Sequence, residues 1–290
     1  MKRREAIKTS LVATAASVLS GSSYIQQQSL EMGKELKGKI KHSACRWCYK
    51  DIPLEELADK AKDMGISSIE LLDVSEWDTV IKRGLKCAIS NGSKLGITKG
   101  FNDVQYHDQL YTDYEKLIPM AADTGIKQII CFSGNRGTIT DKMGLEHCAK
   151  GLDKLVKLAA QYKVTLVMEL LNSKVDHGDY MCDNTKWGTA LVDKLGSENF
   201  KLLYDIYHMQ IMEGDVIATI EKYKKYISHF HTGGVPGRHE INETQELNYK
   251  AIMQAIVKTG FTGFVAQEFI PTRKNALESL KEGIQICDVI

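Results

Sequence analysis

From Gly38 onward the chain alternates short β-rich runs with helical patterns, eight times over. The β-rich runs fall at 40–45, 67–72, 86–90, 127–132, 164–169, 200–205, 226–231 and 263–268. The helical patterns lie near 53–64, 76–83, 109–124, 141–162, 184–196, 213–224, 248–259 and 275–288. Pro53 stands where a first helical turn tolerates it. Gly65, Gly125, Gly196 and Gly260 each follow a helical pattern and precede a strand, as helix ends require. Strand then helix, repeated, calls for a parallel sheet. Eight units suit closure into a (β/α)8 barrel, the TIM barrel of the α/β class. The rival, an open doubly wound sheet, usually carries a Gly-rich phosphate turn after its first strand. Here that strand runs into Arg46-Trp47-Cys48-Tyr49, with no glycine.

The residues ahead of the alternation read as an address. Met1-Lys2-Arg3-Arg4 precedes an apolar, small-residue run from Leu11 to Leu19 and then Ser20-Gly21-Ser22-Ser23. That order reads as an export signal, with an amphipathic surface helix and a cytoplasmic protein as the alternative, and the paired arginines resemble the bacterial twin-arginine type, whose cargo crosses folded. A periplasmic location is the expectation, with 1–35 as signal and lead-in and 36–290 as the barrel. The remaining length, about 255 residues, is typical of such a barrel. No apolar run reaches the roughly 18 residues that a membrane span needs. Lys and Arg number 38 against 37 Asp and Glu. That balance speaks against nucleic acid as a partner, which usually meets a basic excess. It leaves self-association into a homodimer open. Seven cysteines cannot all pair. The Cys45–Cys48 spacing has no second CxxC to complete a zinc site, so strand-end packing is the leading reading over redox or metal chemistry.

In a parallel barrel, chemistry collects at the C-terminal ends of the strands. The last four predicted strands end in Glu169, Asp205, His231 and Glu268. Each alone has an ordinary role as helix cap, salt bridge or structural histidine. Together, three carboxylates and an imidazole at one rim would repel unless a divalent cation neutralised them. Oxygen-rich ligation with one nitrogen suits Mn²⁺ best, with Mg²⁺ or Co²⁺ next. Around them stand candidate substrate contacts. His208 follows Asp205 by three, Arg238 sits in a glycine-rich loop, Glu70 ends the second strand region, and Trp47 follows the first. The plainer alternatives are a helix-start hydrogen bond for His208, a salt bridge to Glu240 for Arg238, and packing for Trp47.

Four stretches resemble one family. They are Met168-Glu169-Leu170-Leu171-Asn172, the run from Tyr204 to Gln210, Pro236-Gly237-Arg238-His239-Glu240, and Gln267-Glu268-Phe269. They are similar to the hydroxypyruvate isomerase family, within the xylose-isomerase-like sugar isomerase and epimerase barrels, over roughly residues 40–288. The resemblance implies a divalent metal held by Glu169, Asp205, the strand-seven residue and Glu268. It implies Glu169 and Glu268 as the acid/base pair, with His208 and Arg238 near the substrate. At strand seven the family commonly carries Gln; His231 stands here, as in related ketose 3-epimerases. The expected activity is isomerisation or epimerisation of a small sugar or hydroxy-keto acid, by proton transfer through a metal-stabilised enediolate. The alternatives are a metal-dependent lyase or hydrolase acting on an oxidised sugar, and a non-catalytic sugar-binding protein of the cell envelope.

Overall fold

The strands are β1 Lys41–Cys45, β2 Ser68–Glu70, β3 Gln128–Cys131, β4 Thr165–Leu170, β5 Phe200–Asp205, β6 Ile227–Thr232 and β7 Phe264–Gln267. They come from a computed structural model that describes residues 36–290. The expected export segment, 1–35, lies outside the described residues. Every strand pair is parallel, and the order around the sheet is β2-β1-β7-β6-β5-β4-β3. Apart from residues 86–90, the expected strands appear as strands, each within about two residues of the expected ends.

The expected strand at 86–90 forms only isolated bridges, Ser68 with Lys86, Leu72 with Ser90 and Ser90 with Ile129. Two local features interrupt its ladder. Ser68 Oγ, rather than a main-chain carbonyl, accepts from the Ala88 amide at 2.9 Å. Leu71, one residue past β2, leaves the extended backbone with a φ of 55°. The segment still closes the barrel. Leu71 donates to the Ile89 carbonyl on one side, and Ile130 donates to the Ser90 carbonyl on the other. Residues 86–91 are thus the missing stave between β2 and β3.

The helices are α1 Leu54–Asp63, α2 Val74–Ile81, α3 His107–Asp123, α4 Asp141–Tyr162, α5 Thr185–Leu195, α6 Ile206–Met212, α7 Val216–Tyr223, α8 Tyr249–Lys258 and α9 Ala276–Cys287. Gly65, Gly125, Gly196 and Gly260 all have positive φ, the backbone that helix ends demand. The helix expected at 213–224 is α7, and a short helix that was not expected, α6, precedes it. α6 starts directly after β5, with Asp205 capping it by accepting from the His208 amide at 3.1 Å. Gly214 and Asp215, both at positive φ, then turn the chain into α7. No helix of the described residues is long and apolar enough to cross a membrane. All seven cysteines are free, and six of them are buried.

The barrel interior decides where the site can be. Ile89, Ile130, Val167 and Leu203, one from each of four adjacent staves, form a buried apolar cluster. Side chains two residues apart on a strand share a face. Two residues beyond Val167 is Glu169, and two beyond Leu203 is Asp205. The same step from Ile130 and Ile89 gives Phe132 and Asn91. An apolar layer therefore underlies a mixed rim at the C-terminal mouth.

On β1, His42 is buried, and both ring nitrogens lack a partner. Burial pushes its pKa down to about 4, opposed in part by the Asp288 charge. An unfolded histidine titrates near 6.5. The unfolded chain therefore binds the proton first, and stability falls as pH drops from about 6.5 towards 4. The loss is about 3 kcal/mol by pH 4. Urea denaturation at pH 7 and pH 4.5 should show His42→Leu losing clearly less stability than wild type over that interval. Equal losses in the two proteins would contradict this account of His42.

Candidate metal and proton-transfer site

The four strand-end residues meet at one point. Glu169, Asp205, His231 and Glu268 each offer a ligand atom, those atoms lie within 4.8 Å of one another, and all four residues are buried. Asp205 and His231 are register partners on β5 and β6. Glu268 lies one residue past β7, where its amide donates to the Thr232 carbonyl at 3.1 Å. His231 is the hub: its Nδ1 is 2.7 Å from Glu268 Oε2 and 3.1 Å from Glu169 Oε1.

The second nitrogen of His231 points the other way. Its Nε2 is 2.9 Å from Glu70 Oε1. His229 Nε2 is 2.8 Å from the same oxygen, off line for a hydrogen bond. Cys45 Sγ stands 3.8 Å from His231 Nε2. Glu70 is fully buried behind His231 and does not line the cavity above it. Burial would raise its pKa, but His229 and His231 together hold it down to about 2. Glu70 is thus an anchor for His231 from below. A carboxylate behind a histidine fixes ring orientation and leaves the other nitrogen free as a donor atom.

Arg238 closes the other side. Its Nη2 is 2.6 Å from Glu268 Oε2 and 3.2 Å from Asp205 Oδ2. The guanidinium lies between two aromatic rings, 5.2 Å from Trp47 and 5.4 Å from Tyr207. Trp47 Nε1 donates to Glu268 Oε1 at 2.8 Å. The sequence alternative for Arg238, a pair with Glu240, does not form. Glu240 instead accepts from the Thr272 amide and hydroxyl and from Ser279. The loop can carry Arg238 here because Gly234 has no side chain; a Cβ there would collide with the Glu240 carbonyl. His208 stands beside Asp205, with Nε2 3.6 Å from Oδ2, and is buried off the cavity wall. Asn172 Nδ2 donates to its Nδ1 at 2.7 Å.

The carboxylates are unequal. Burial, reinforced by the charge of Glu268, raises the pKa of Glu169. Burial raises Asp205 well above the ordinary range, although Arg238 opposes it. Glu268 is also buried, yet Arg238 and His231 hold it well below that range. The cluster thus keeps charge on Glu268 and resists it on the other two. A divalent cation among them would favour the ionised form of all three. The donor set fits such an ion: three hard carboxylates and one imidazole, inside one buried cup.

A cavity of about 370 Å³ opens above the cluster. Glu169, Glu268, Trp47 and Arg238 line it, as do His177, Asn91, Leu71, Ile97 and Phe132. No motif in the sequence marks these last five. Phe132 and Asn91 were reachable by counting two on from Ile130 and Ile89. His177 was not, because it lies in the aperiodic loop between β4 and α5.

The family model described as xylose isomerase-like TIM barrel matches residues 58–288. The 2-oxo-tetronate isomerase of Cupriavidus necator is 34% identical over 113 residues, 39% of this chain and 43% of that protein. The hydroxypyruvate isomerase of Escherichia coli is 31% identical over 118 residues, 38% of this chain and 45% of that protein. The chain therefore matches these relatives over less than half of their length. Among solved structures, an AP endonuclease of family 2 from Brucella melitensis superposes with a TM-score of 0.75. It is 21% identical and covers 83% of this chain and 96% of its own. The D-psicose 3-epimerase of Clostridium cellulolyticum, solved with D-tagatose, gives a TM-score of 0.68 at 17% identity. It covers 86% of this chain and 100% of its own. At these identities the two structures bear on the fold alone.

Glu70→Ala removes the partner of two buried histidines. Breaking a buried charged pair costs about 3 kcal/mol or more, so the variant should melt at a clearly lower temperature. Glu70→Gln, which keeps the volume, should recover part of the loss. An unchanged melting temperature in Glu70→Ala would show that His231 is not anchored from below.

Proposed function

The chain belongs to the xylose isomerase-like TIM barrel family, and from that premise we propose that it is an isomerase or epimerase. Its substrate is a small sugar or hydroxy-keto acid, and the chemistry is proton transfer at the carbon beside a carbonyl. One observation carries the reading. Glu169 and Glu268 come from opposite sides of the last strands yet both reach His231 Nδ1, at 3.1 Å and 2.7 Å. Two carboxylates flanking one point, under one cavity, suit removal and return of a proton. The isomerase names of the curated relatives support the same reaction class.

Glu169, Asp205, His231 and Glu268 would hold the divalent cation, with Mn²⁺ the preferred ion for this donor set. When bound, such an ion polarises a carbonyl and stabilises the negative charge of an enediolate. The remaining work falls to the protein's own groups. One of Glu169 and Glu268 removes the α-proton. The same residue, or the other, returns it to the neighbouring carbon for isomerisation or to the opposite face for epimerisation. Arg238 presents its fork beside Glu268, oriented by the rings of Trp47 and Tyr207. Trp47, part exposed and bonded to Glu268, covers the mouth and limits water access. His208 contributes by fixing Asp205 from the start of α6. We also propose that the arginine pair and the apolar run within residues 1–35 direct export, on the strength of their order in the sequence.

Glu169→Gln and Glu268→Gln should each lower kcat by at least about 10²-fold, the lower range for an acid–base group. The measurement is deuterium uptake from D₂O into candidate ketoses and keto acids. Near-normal turnover in both variants would reject the pair. Chelator treatment should abolish exchange and added Mn²⁺ should restore it; full activity after verified metal removal would contradict the metal assignment.

A further inference from the structure

The cavity is divided by the strands that build it. Glu169, Glu268 and Arg238 come from β4, the end of β7 and the loop after β6. Most of the remaining wall is apolar: Leu71 after β2, Ile97 beyond the 86–91 stave, Ile130 and Phe132 on and after β3, and Leu171 after β4, with Asn91 and His177 as its polar members. Leu71 and Phe132 pack on the apolar layer of Ile89, Ile130, Val167 and Leu203. The wall is therefore the top of the barrel core, held in place by packing.

Leu71 strengthens the point. A leucine at φ 55° is uncommon, because its Cβ crowds the carbonyl. Such outliers persist where the surroundings fix them, and they gather at functional sites. Here the turn places an apolar side chain on the cavity wall, while the preceding residue, Glu70, goes beneath His231. Few polar groups remain for a hydroxyl on this side. One N–H of the Asn91 amide donates to Asp73 at 2.9 Å, which leaves its second N–H and its oxygen. The Trp47 N–H is taken by Glu268. His177 is the other polar side chain on the wall.

We propose that the end of the substrate remote from the reacting carbons is apolar: an α-hydroxy carbonyl compound with a deoxygenated terminus, such as a methyl-ended ketose. The inference rests on the proton-transfer reading of the same site and names its substrate class. A methyl against Leu71, Ile97, Ile130, Phe132 and Leu171 is removed from water at a gain. A hydroxyl in the same place gives up hydrogen bonds to water and finds few replacements. An apolar pocket discriminates at this scale by roughly 10–100-fold.

The test is a set of matched pairs, 6-deoxy-ketohexoses against their 6-hydroxy parents, incubated with Mn²⁺-loaded protein in D₂O. The expected result is α-deuteration of the deoxy member with kcat/KM at least about tenfold above its parent. Ile97→Asn, on a loop where folding is little at stake, should narrow that ratio by about threefold or more. Exchange in both members at equal rates, or faster exchange in the hydroxylated member, overturns the inference and leaves the isomerase reading standing. A ratio that Ile97→Asn does not move removes Ile97 from the wall and counts against the inference. Exchange in no pair overturns the proton-transfer reading and the substrate class with it.

Discussion

Four ionisable groups buried within 4.8 Å of each other are the constraint on which the molecule turns. Leaving three carboxylates together in a dry cup is costly unless positive charge stands among them. The chain supplies part of that charge itself. Arg238 bridges Asp205 and Glu268, and His231 touches Glu169 and Glu268. A fourth carboxylate, Glu70, then has to hold His231 in place from below. Each neutralising group thereby acquires a support of its own: aromatic rings for Arg238 and Glu70 for His231.

The barrel makes this arrangement affordable through register. Period-two alternation puts Val167 and Leu203 into the apolar layer and Glu169 and Asp205 directly above it. A one-residue slip of either strand would turn the carboxylates to the outer face, away from His231 and Arg238. Parallel strands with helices on their outer side make such slips expensive, because both faces are packed. The same register sets the opposite wall, where Phe132 takes the place that a carboxylate occupies on β4.

The fold was legible because eight alternations and four helix-ending glycines all point to one architecture. The stave at 86–91 was legible as a β-rich run but not as an interrupted ladder. The interruption depends on the Ser68 hydroxyl and the turned backbone of Leu71, neither of which has a periodic signature. Glu169, Asp205, His231 and Glu268 could be found because strand ends are where barrel chemistry sits. Glu70 could be found for the same reason, but its task could not. Whether a strand-end carboxylate faces the mouth or the space beneath a neighbouring ring depends on a backbone turn one residue later. His177 and Ile97 lie on aperiodic loops, where no spacing rule places a side chain. The short helix α6 was hidden because Asp205 serves both as strand-end carboxylate and as its cap.

Whether the cup holds one ion is settled most directly by anomalous diffraction from crystals grown with Mn²⁺. A single peak is expected, within about 2–2.5 Å of ligand atoms from Glu169, Asp205, His231 and Glu268. A manganese peak elsewhere, or a well-ordered cup with those four side chains and no peak at saturating Mn²⁺, would contradict the account.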